Sequence, residues 1–384
     1  PALFGWEDYR DCPGAFCSLK SVRVRRGEEI AAGAFYRCGL LEEVDYLQTI
    51  RSIGEDAFSG CASITSFTLP SGLETIGSGA FEGCYRLYEV ENRSSLNVRA
   101  GSEGYGMVAK YALAVYGAGE NMPERETDGD WTFMETGGVR YLVGYGDRSF
   151  LSLPQTPQSY RIAPYLFYND INIERLDSTG SAEIIGDYAF LQCAFLTKAV
   201  FSEGIKEIGE GAFSGCGALT QVTLPASLAE IGEGAFSSSC LYEVWNLSSL
   251  PVEAGGSDYG GVGKYAMFIY DSADEESRVA AEDGFIFVRD GEEWSLVAAS
   301  QTDRVYLPED GRIGGVRIDG YALGKGFGNE GIKVLYIPME VERVGQAAFD
   351  GCTGQTAIYY EGTEEEWLQI GGYTPSGCSI VYES

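Results

Sequence analysis

Ile208-Gly209-Glu210-Gly211-Ala212-Phe213-Ser214-Gly215-Cys216-Gly217-Ala218-Leu219-Thr220-Gln221-Val222-Thr223-Leu224-Pro225 is the stretch that decides the fold, because the chain keeps returning to it. Its Ala-Phe step serves as a ruler. Phe35, Phe58 and Phe81 stand 23 residues apart, and so do Phe167, Phe190, Phe213 and Phe236. Repetition at this period predicts a solenoid, in which one unit cannot bury its apolar face alone and stacks on its neighbours.

Aligned on that Phe, each position acquires a task. Ile53, Ile76, Ile185, Ile208, Ile231 and Val344 come five places earlier. Gly54, Gly77, Gly186, Gly209, Gly232 and Gly345 come four earlier and predict a corner that needs either positive φ or close backbone approach. A small residue precedes the Phe (Ala57, Ala80, Ala189, Ala212, Ala235, Ala348) and implies crowding against the next coil. The Phe residues should form a core column, each burial contributing about 1.5–3 kcal/mol. Two extended segments fit each unit, Leu-x-x-Val-x-Leu-Pro and Leu-x-x-Ile-Gly. Pro70, Pro225 and Pro338 lack an amide donor and should end the first of them.

The count breaks twice, with steps of 86 from Phe81 to Phe167 and 87 from Phe236 to Leu323, taken as the next ruler position. Matching inserts, at about 93–150 and 247–305, fill the gaps. Apolar spacing over Tyr105 to Tyr116 and Tyr259 to Tyr270 predicts a helix in each. A hairpin should follow, with Trp131-Thr-Phe-Met and Arg140-Tyr-Leu-Val flanking Gly137-Gly138, and Phe285-Ile-Phe-Val and Trp294-Ser-Leu-Val flanking Asp290-Gly291. A unit of roughly 154 residues is thus itself duplicated. The expected architecture is one continuous β-rich solenoid over 1–384, right-handed with parallel strands, carrying two helix-plus-hairpin inserts.

Phe213 and its surroundings resemble the BspA-like leucine-rich repeats of bacterial surface proteins. The inserts and Ile358-Tyr-Tyr-Glu-Gly-Thr-Glu-Glu-Glu-Trp367 are similar to segments that accompany this repeat in gut bacterial proteins. The resemblance implies a leucine-rich-repeat fold and a secreted or surface-displayed, non-enzymatic binding protein, in some members an adhesin for host matrix proteins. It brings no catalytic residues and no cofactor. The chain departs from the pattern at its start, where Phe16 to Phe35 is a step of 19.

Composition narrows the chemistry. The 384 residues include no histidine, which removes Ser-His-Asp and Cys-His catalysis, His-x-x-x-His zinc sites and a histidine proton switch. A net charge of −30 disfavours nucleic acid and anionic lipid. It reads as solubility and mutual repulsion, with a basic partner or cation capture as the alternative. No apolar run is long enough to span a bilayer as a helix. The chain begins Pro1-Ala2-Leu3, without a leader, and is expected to be a mature fragment whose targeting segment is missing.

Seven of the 10 cysteines follow the ruler: Cys38, Cys61, Cys84, Cys193, Cys216 and Cys352 three places after the Phe, and Cys240 four after. One per coil, with no Cys-x-x-Cys, they predict a structural ladder rather than a metal or redox site. Buried free thiols suit a reducing habitat. Cys12 and Cys17 are either a small disulfide capping the first coil or two free thiols, since spacing does not supply Cα geometry. Cys378 has no evident partner. Asp128-Gly129-Asp130 and Asp271 to Glu276 lack the ligand spacing of a calcium loop and read as solvated turns. Glu364-Glu365-Glu366 before Trp367 predicts a helix start. The Asn92-Arg-Ser94 and Asn246-Leu-Ser248 sequons read as coincidence within duplicated units.

The functional signal is the one column that does not repeat. Ten places after the Phe come Asp45, Thr68, Glu91, Asp177, Val200, Thr223 and Tyr359, joined in register by Trp245 and Tyr336. This slot should project from the strand face, where solenoids bind partners and exposed Trp and Tyr are favoured anchors. The expected binding residues are Glu91, Trp245, Tyr336 and Tyr359, for an extracellular protein or glycan; alternatively these aromatics only pack against the inserts. A passive spacer of a larger surface protein and a carboxylate-dependent hydrolase are the other readings, the last requiring two acidic groups about 5–10 Å apart in a cleft.

Overall fold

The computed structural model describes residues 18–25, 27–46, 48–146, 149–178, 180–282, 285–290, 293–299, 303–307, 311–313, 316–318, 321–323, 332–339, 341–344, 348–349, 356–374 and 378–382. Cys12, Cys17, Gly345 and Cys352 lie outside them. The chain divides into two compact units, Pro1–Ala273 and Asp274–Ser384.

In the first unit each repeat makes one coil with a longer and a shorter strand. Successive longer strands pair in parallel. Ser66–Leu69, Glu89–Asn92 and Ala114–Gly117 form one sheet. Phe150–Ser152, Arg175–Ser178, Lys198–Phe201, Gln221–Leu224, Glu243–Asn246 and Phe268–Tyr270 form another. Val222 and Leu224 alternate inward with half-exposed Gln221 and Thr223, so the strand has one core face despite its Leu219 misfit. Pro70 and Pro225 follow their strands directly, where no ladder donor is needed.

The ruler residues are the core. Phe35, Phe58 and Phe81 stack with centroids 5.2 Å apart, and Phe167, Phe190, Phe213 and Phe236 stack at 4.5, 4.9 and 5.3 Å. A backbone ladder holds them. The Phe58 N–H donates to Ala80 O at 2.8 Å and Phe213 N–H to Ala235 O at 2.7 Å, one coil onward. The glycine four places earlier is there for close approach. A Cβ on Gly77 would lie 2.4 Å from Glu55 N and one on Gly232 2.5 Å from Glu210 N, while φ at both lies outside the left-handed region.

The inserts differ from expectation. Among the described residues of the inserts no α-helix forms; Tyr105–Met107 and Tyr259–Gly261 are 3-10 turns. The cause is backbone handedness. Tyr105, Gly106 and Met107 have φ of 51, 62 and 67°, and Tyr259, Gly260 and Gly261 have 50, 65 and 80°, which no right-handed helix accommodates. The apolar spacing belongs instead to one further coil. Phe81 N–H donates to Gly106 O at 2.8 Å and Phe236 N–H to Gly260 O at 2.9 Å, so these glycines occupy the repeat's Ala slot. Ala114–Gly117 and Phe268–Tyr270 then pair in parallel like any other longer strand.

The hairpins form as read, and they open the next run of coils rather than interrupting it. Trp131–Thr136 and Val139–Gly144 pair antiparallel, Glu124–Asp128 adds on the outer side, and Val139–Gly144 pairs in parallel with Tyr160–Ile162. Met134 and Val143 pack with Tyr88 and Ala163, and the Tyr88 hydroxyl donates to Pro164 O at 2.8 Å. Hairpin and flanking coils therefore share a core.

The second unit repeats the scheme. Val279–Glu282, Phe285–Asp290 and Glu293–Ala299 are antiparallel, and the last continues in parallel to Tyr321–Leu323 and Val341–Val344. Leu323 pairs with Val344, so it holds the slot five before the ruler position and is not itself that position. An added hairpin, Gly311–Ile313 with Val316–Ile318, accounts for the miscount. Asp303–Tyr306, Ile332–Ile337, Ala357–Tyr360 and Ser379–Tyr382 make the longer-strand sheet. The α-helix Glu364–Gln369 begins at a capping box of Thr363 and Glu366 and inserts Trp367 into the core. Among the described residues no helix is long and apolar enough to cross a membrane.

Candidate functional site

Strand register turns the non-repeating slot into physical columns. Thr68, Glu91 and Tyr116 lie side by side, as do Ser152, Asp177, Val200, Thr223, Trp245 and Tyr270. In the second unit the column reads Tyr306, Tyr336, Tyr359 and Val381.

The first unit's columns are internally satisfied. Glu91 accepts from Thr68 Oγ1 at 3.2 Å and from Arg93 Nε at 2.6 Å. Asp45 pairs with Arg23 at 2.7 Å and Asp177 with Arg175 at 3.2 Å. Trp245 is covered, only 7% exposed, with its ring 4.8 Å from that of Tyr270 and Lys198 Nζ 5.6 Å from its centroid. Tyr270 comes from the insert, so Trp245 packs there rather than projecting. Burial, with Arg175 nearby, lowers the Lys198 pKa.

The second unit's column is different. Tyr306 and Tyr336 stack at 4.3 Å with an interplanar angle of 2°, and Tyr336 and Tyr359 at 4.9 Å and 18°. Tyr306 is 55% exposed, and Tyr336 and Tyr359 are half-buried. Hydrogen bonding with Tyr306 raises the Tyr336 pKa. Beside the rings lies a cleft of about 180 Å³, completed by Leu307, Ile337, Pro338 and Glu361. Tyr306 was not among the expected site residues. Its signal is in the sequence: Val305-Tyr306-Leu307-Pro308 repeats the strand ending seen at Leu335-Tyr336-Ile337-Pro338.

Two further features escaped the sequence reading. Glu89 and Glu243 are buried carboxylates, the second fully. Glu89 accepts from Tyr116 Oη at 2.7 Å and Arg125 Nη2 at 2.6 Å; Glu243 accepts from Tyr270 Oη at 2.6 Å and Gln221 Nε2 at 2.8 Å. Each fastens an insert strand to the coil before it, and the repeated Tyr-Glu-Val (88–90, 242–244) was the signal. Tyr85, Tyr165 and Tyr188 also stack, at 4.8 and 5.1 Å, beside a groove of about 490 Å³ that includes Arg37, Leu40 and Arg86. A hydrogen bond to Glu210 pushes the Tyr188 pKa up to about 12.

Five of the described cysteines, Cys38, Cys61, Cys84, Cys193 and Cys216, are buried. Cys61, Cys84, Cys193 and Cys216 donate Sγ–H to the carbonyls of Phe35, Phe58, Phe167 and Phe190 at 3.0–3.2 Å, each in the preceding coil. Cys38 is buried in the same row. Cys240 is half-buried, and Ser239, three places after Phe236, donates at 2.7 Å to the carbonyl of its own coil's Phe236 rather than to the preceding coil. Burial pushes the Cys84 thiol up to about 12. Cys378 is half-buried against the second unit's core. Among the described residues no group of three or more His, Cys, Asp or Glu could hold a metal.

Residues 15–101 and 153–252 match the BspA type leucine rich repeat region, in six copies. Solved structures that are similar include a leucine rich cell surface protein from Faecalibacterium prausnitzii, 17% identical, covering 94% of this chain and 85% of its own, with a TM-score of 0.30. A leucine-rich repeat protein from Bacteroides ovatus is 17% identical, with coverages of 94% and 83% and a TM-score of 0.29. The pneumococcal vaccine antigen PcpA is 13% identical, with coverages of 95% and 79% and a TM-score of 0.33. Comparison with curated proteins gave no match. The coils built on the Phe column at 15–101 and 153–252 are therefore BspA-type leucine-rich repeats.

Proposed function

We propose that this is a non-enzymatic repeat protein of the bacterial cell surface that binds an extracellular protein or glycan through the tyrosine column of its second unit. The observation that carries the reading is the stack of Tyr306, Tyr336 and Tyr359 beside an open cleft, whereas Asp45, Glu91 and Asp177 of the other columns are each paired with an arginine. Aromatic anchors with a polar tip are the groups that binding surfaces favour. The surface location follows the repeat family. A carboxylate hydrolase gains no support from the most buried acids: Glu89 and Glu243 are each engaged by a tyrosine and a second donor.

The test is a binding screen of the whole chain against matrix proteins and glycans, with Tyr336→Ala alongside. The expected result is a ligand whose affinity falls at least about tenfold in the variant, the usual scale for losing an aromatic anchor. Silence across the panel, or equal binding by the variant, points to the passive spacer instead.

A further inference from the structure

The tyrosine column has a geometry that selects among partners. Both faces of the Tyr336 ring are covered by neighbouring rings 4.3 and 4.9 Å away. A flat ligand has no central ring face to lie on. What the column offers is a row of ring edges with hydroxyl tips, and beside it a cleft floored by Leu307, Ile337 and Pro338. At about 180 Å³ the cleft is below the size of ordinary small-molecule sites and suits one side chain of a longer ligand.

We propose, on the reading above that this column binds a partner, that the occupant is a proline-rich segment in polyproline II conformation with a Lys or Arg beside Glu361. The two ring steps, 4.3 and 4.9 Å, together match one polyproline II turn, three residues at a rise of about 3.1 Å. Ligand residues i and i+3 therefore meet equivalent positions at Tyr306 and Tyr359. An extended β-strand, with its side chains repeating every two residues at about 3.3 Å each, does not keep that register. Polyproline II carries no internal hydrogen bonds, so its carbonyls are available to the hydroxyl tips at the two ends of the stack, Tyr306 and Tyr359. Its low entropy lets it dock in shallow aromatic-lined grooves. Charge fixes the sign of the flanking residue. Exposed Glu361 lines the cleft, in a chain of net charge −30. Arg304 lies on the same strand face two residues before Tyr306, so the basic residue belongs at the Pro338–Glu361 end.

The experiment titrates the whole chain with four probes, followed by tyrosine fluorescence and calorimetry. They are an Arg-flanked proline-rich decapeptide, the same peptide with Glu in place of Arg, an Arg-flanked Gly/Ser peptide, and chito- and cello-oligosaccharides. The proposal expects saturable binding of the first alone. Glu361→Gln should weaken it about threefold and Tyr336→Ala at least about tenfold. Tyr306→Ser, at the more exposed end of the stack, should weaken it as well and guards against a Tyr336 variant that fails to fold. Equal binding of the Gly/Ser peptide would reduce the effect to charge and overturn the proposal. An oligosaccharide that binds in a Tyr336-dependent way while the peptides do not would overturn the proline-rich assignment but keep the column as a binding site. No binding by any probe, with wild-type affinity for the matrix or glycan ligand of the broader screen also absent, would overturn both.

Discussion

At the scale of single residues, the repeat's polar demand is met by sulfur. The carbonyls of Phe35, Phe58, Phe167 and Phe190 each accept from the next coil's cysteine, as Phe190 O does from Cys216 at 3.1 Å. Cys216→Ala removes this donor while Phe190 O keeps the Cys193 N–H at 3.2 Å, so the loss is that of one hydrogen bond, about 0.5–1.5 kcal/mol. Cys216→Ser keeps a donor and should cost less, and urea unfolding of the two variants measures the difference. The same burial makes the ladder sensitive to alkali. The Cys84 thiol, ordinarily near 9.0, is pushed up to about 12 in the folded chain. Its contribution to stability is complete below about pH 9. It is lost as pH rises through the window up to about 12, because the unfolded chain releases that proton first. Unfolding midpoints across this window should fall less steeply in Cys84→Ser than in the wild type; parallel slopes would mean the thiol stays out of the linkage.

At the scale of elements, the two glycines that replace Ala at the end of a run of coils decide whether the last coil closes. A Cβ on Gly260 would stand 2.6 Å from Gly232 O at a φ of +65°. Gly261, with φ +80°, has nothing within 4 Å of its Cβ. Gly261→Ala therefore carries only backbone strain, about 1–2 kcal/mol. Gly260→Ala adds a collision with backbone that cannot step aside, and its thermal midpoint should fall further than that of its neighbour. These positions also mark where sequence reading succeeds and where it stops. The Phe column, the paired strands, the hairpins and the cysteine row were legible because each is a residue type recurring at fixed spacing. The helix expected at Tyr105 to Tyr116 was not there, because apolar spacing around a coil imitates a helix face and three successive left-handed φ values are invisible to periodicity. Trp245 failed as an exposed anchor for a related reason: whether a strand-face residue meets solvent depends on the neighbour in space, and Tyr270 covers it. The Tyr306–Tyr336–Tyr359 stack was half legible, since Tyr306 sits 30 residues from Tyr336, outside the 23-residue ruler.

At the scale of the whole molecule, repetition sets the pattern of unfolding. Coils contact only their neighbours, and long arrays of them lose all-or-none cooperativity. Here the chain has two compact units with their own apolar cores, the first around the Phe58–Phe81 and Phe167-to-Phe236 columns and the second around Leu335, Ile358, Tyr360 and Trp367. The expected thermogram is resolved into two transitions, with a calorimetric enthalpy larger than the van't Hoff value of the whole. Two substitutions assign them. Phe213 stacks between Phe190 and Phe236, so Phe213→Ala opens a cavity in the first core at a cost of about 3–5 kcal/mol. Trp367 is buried between Phe349 and Tyr360, so Trp367→Ala does the same, at about 3–5 kcal/mol, in the second. Each variant should lower one transition and leave the other in place. A single transition that both substitutions shift equally would show instead that the units melt as one.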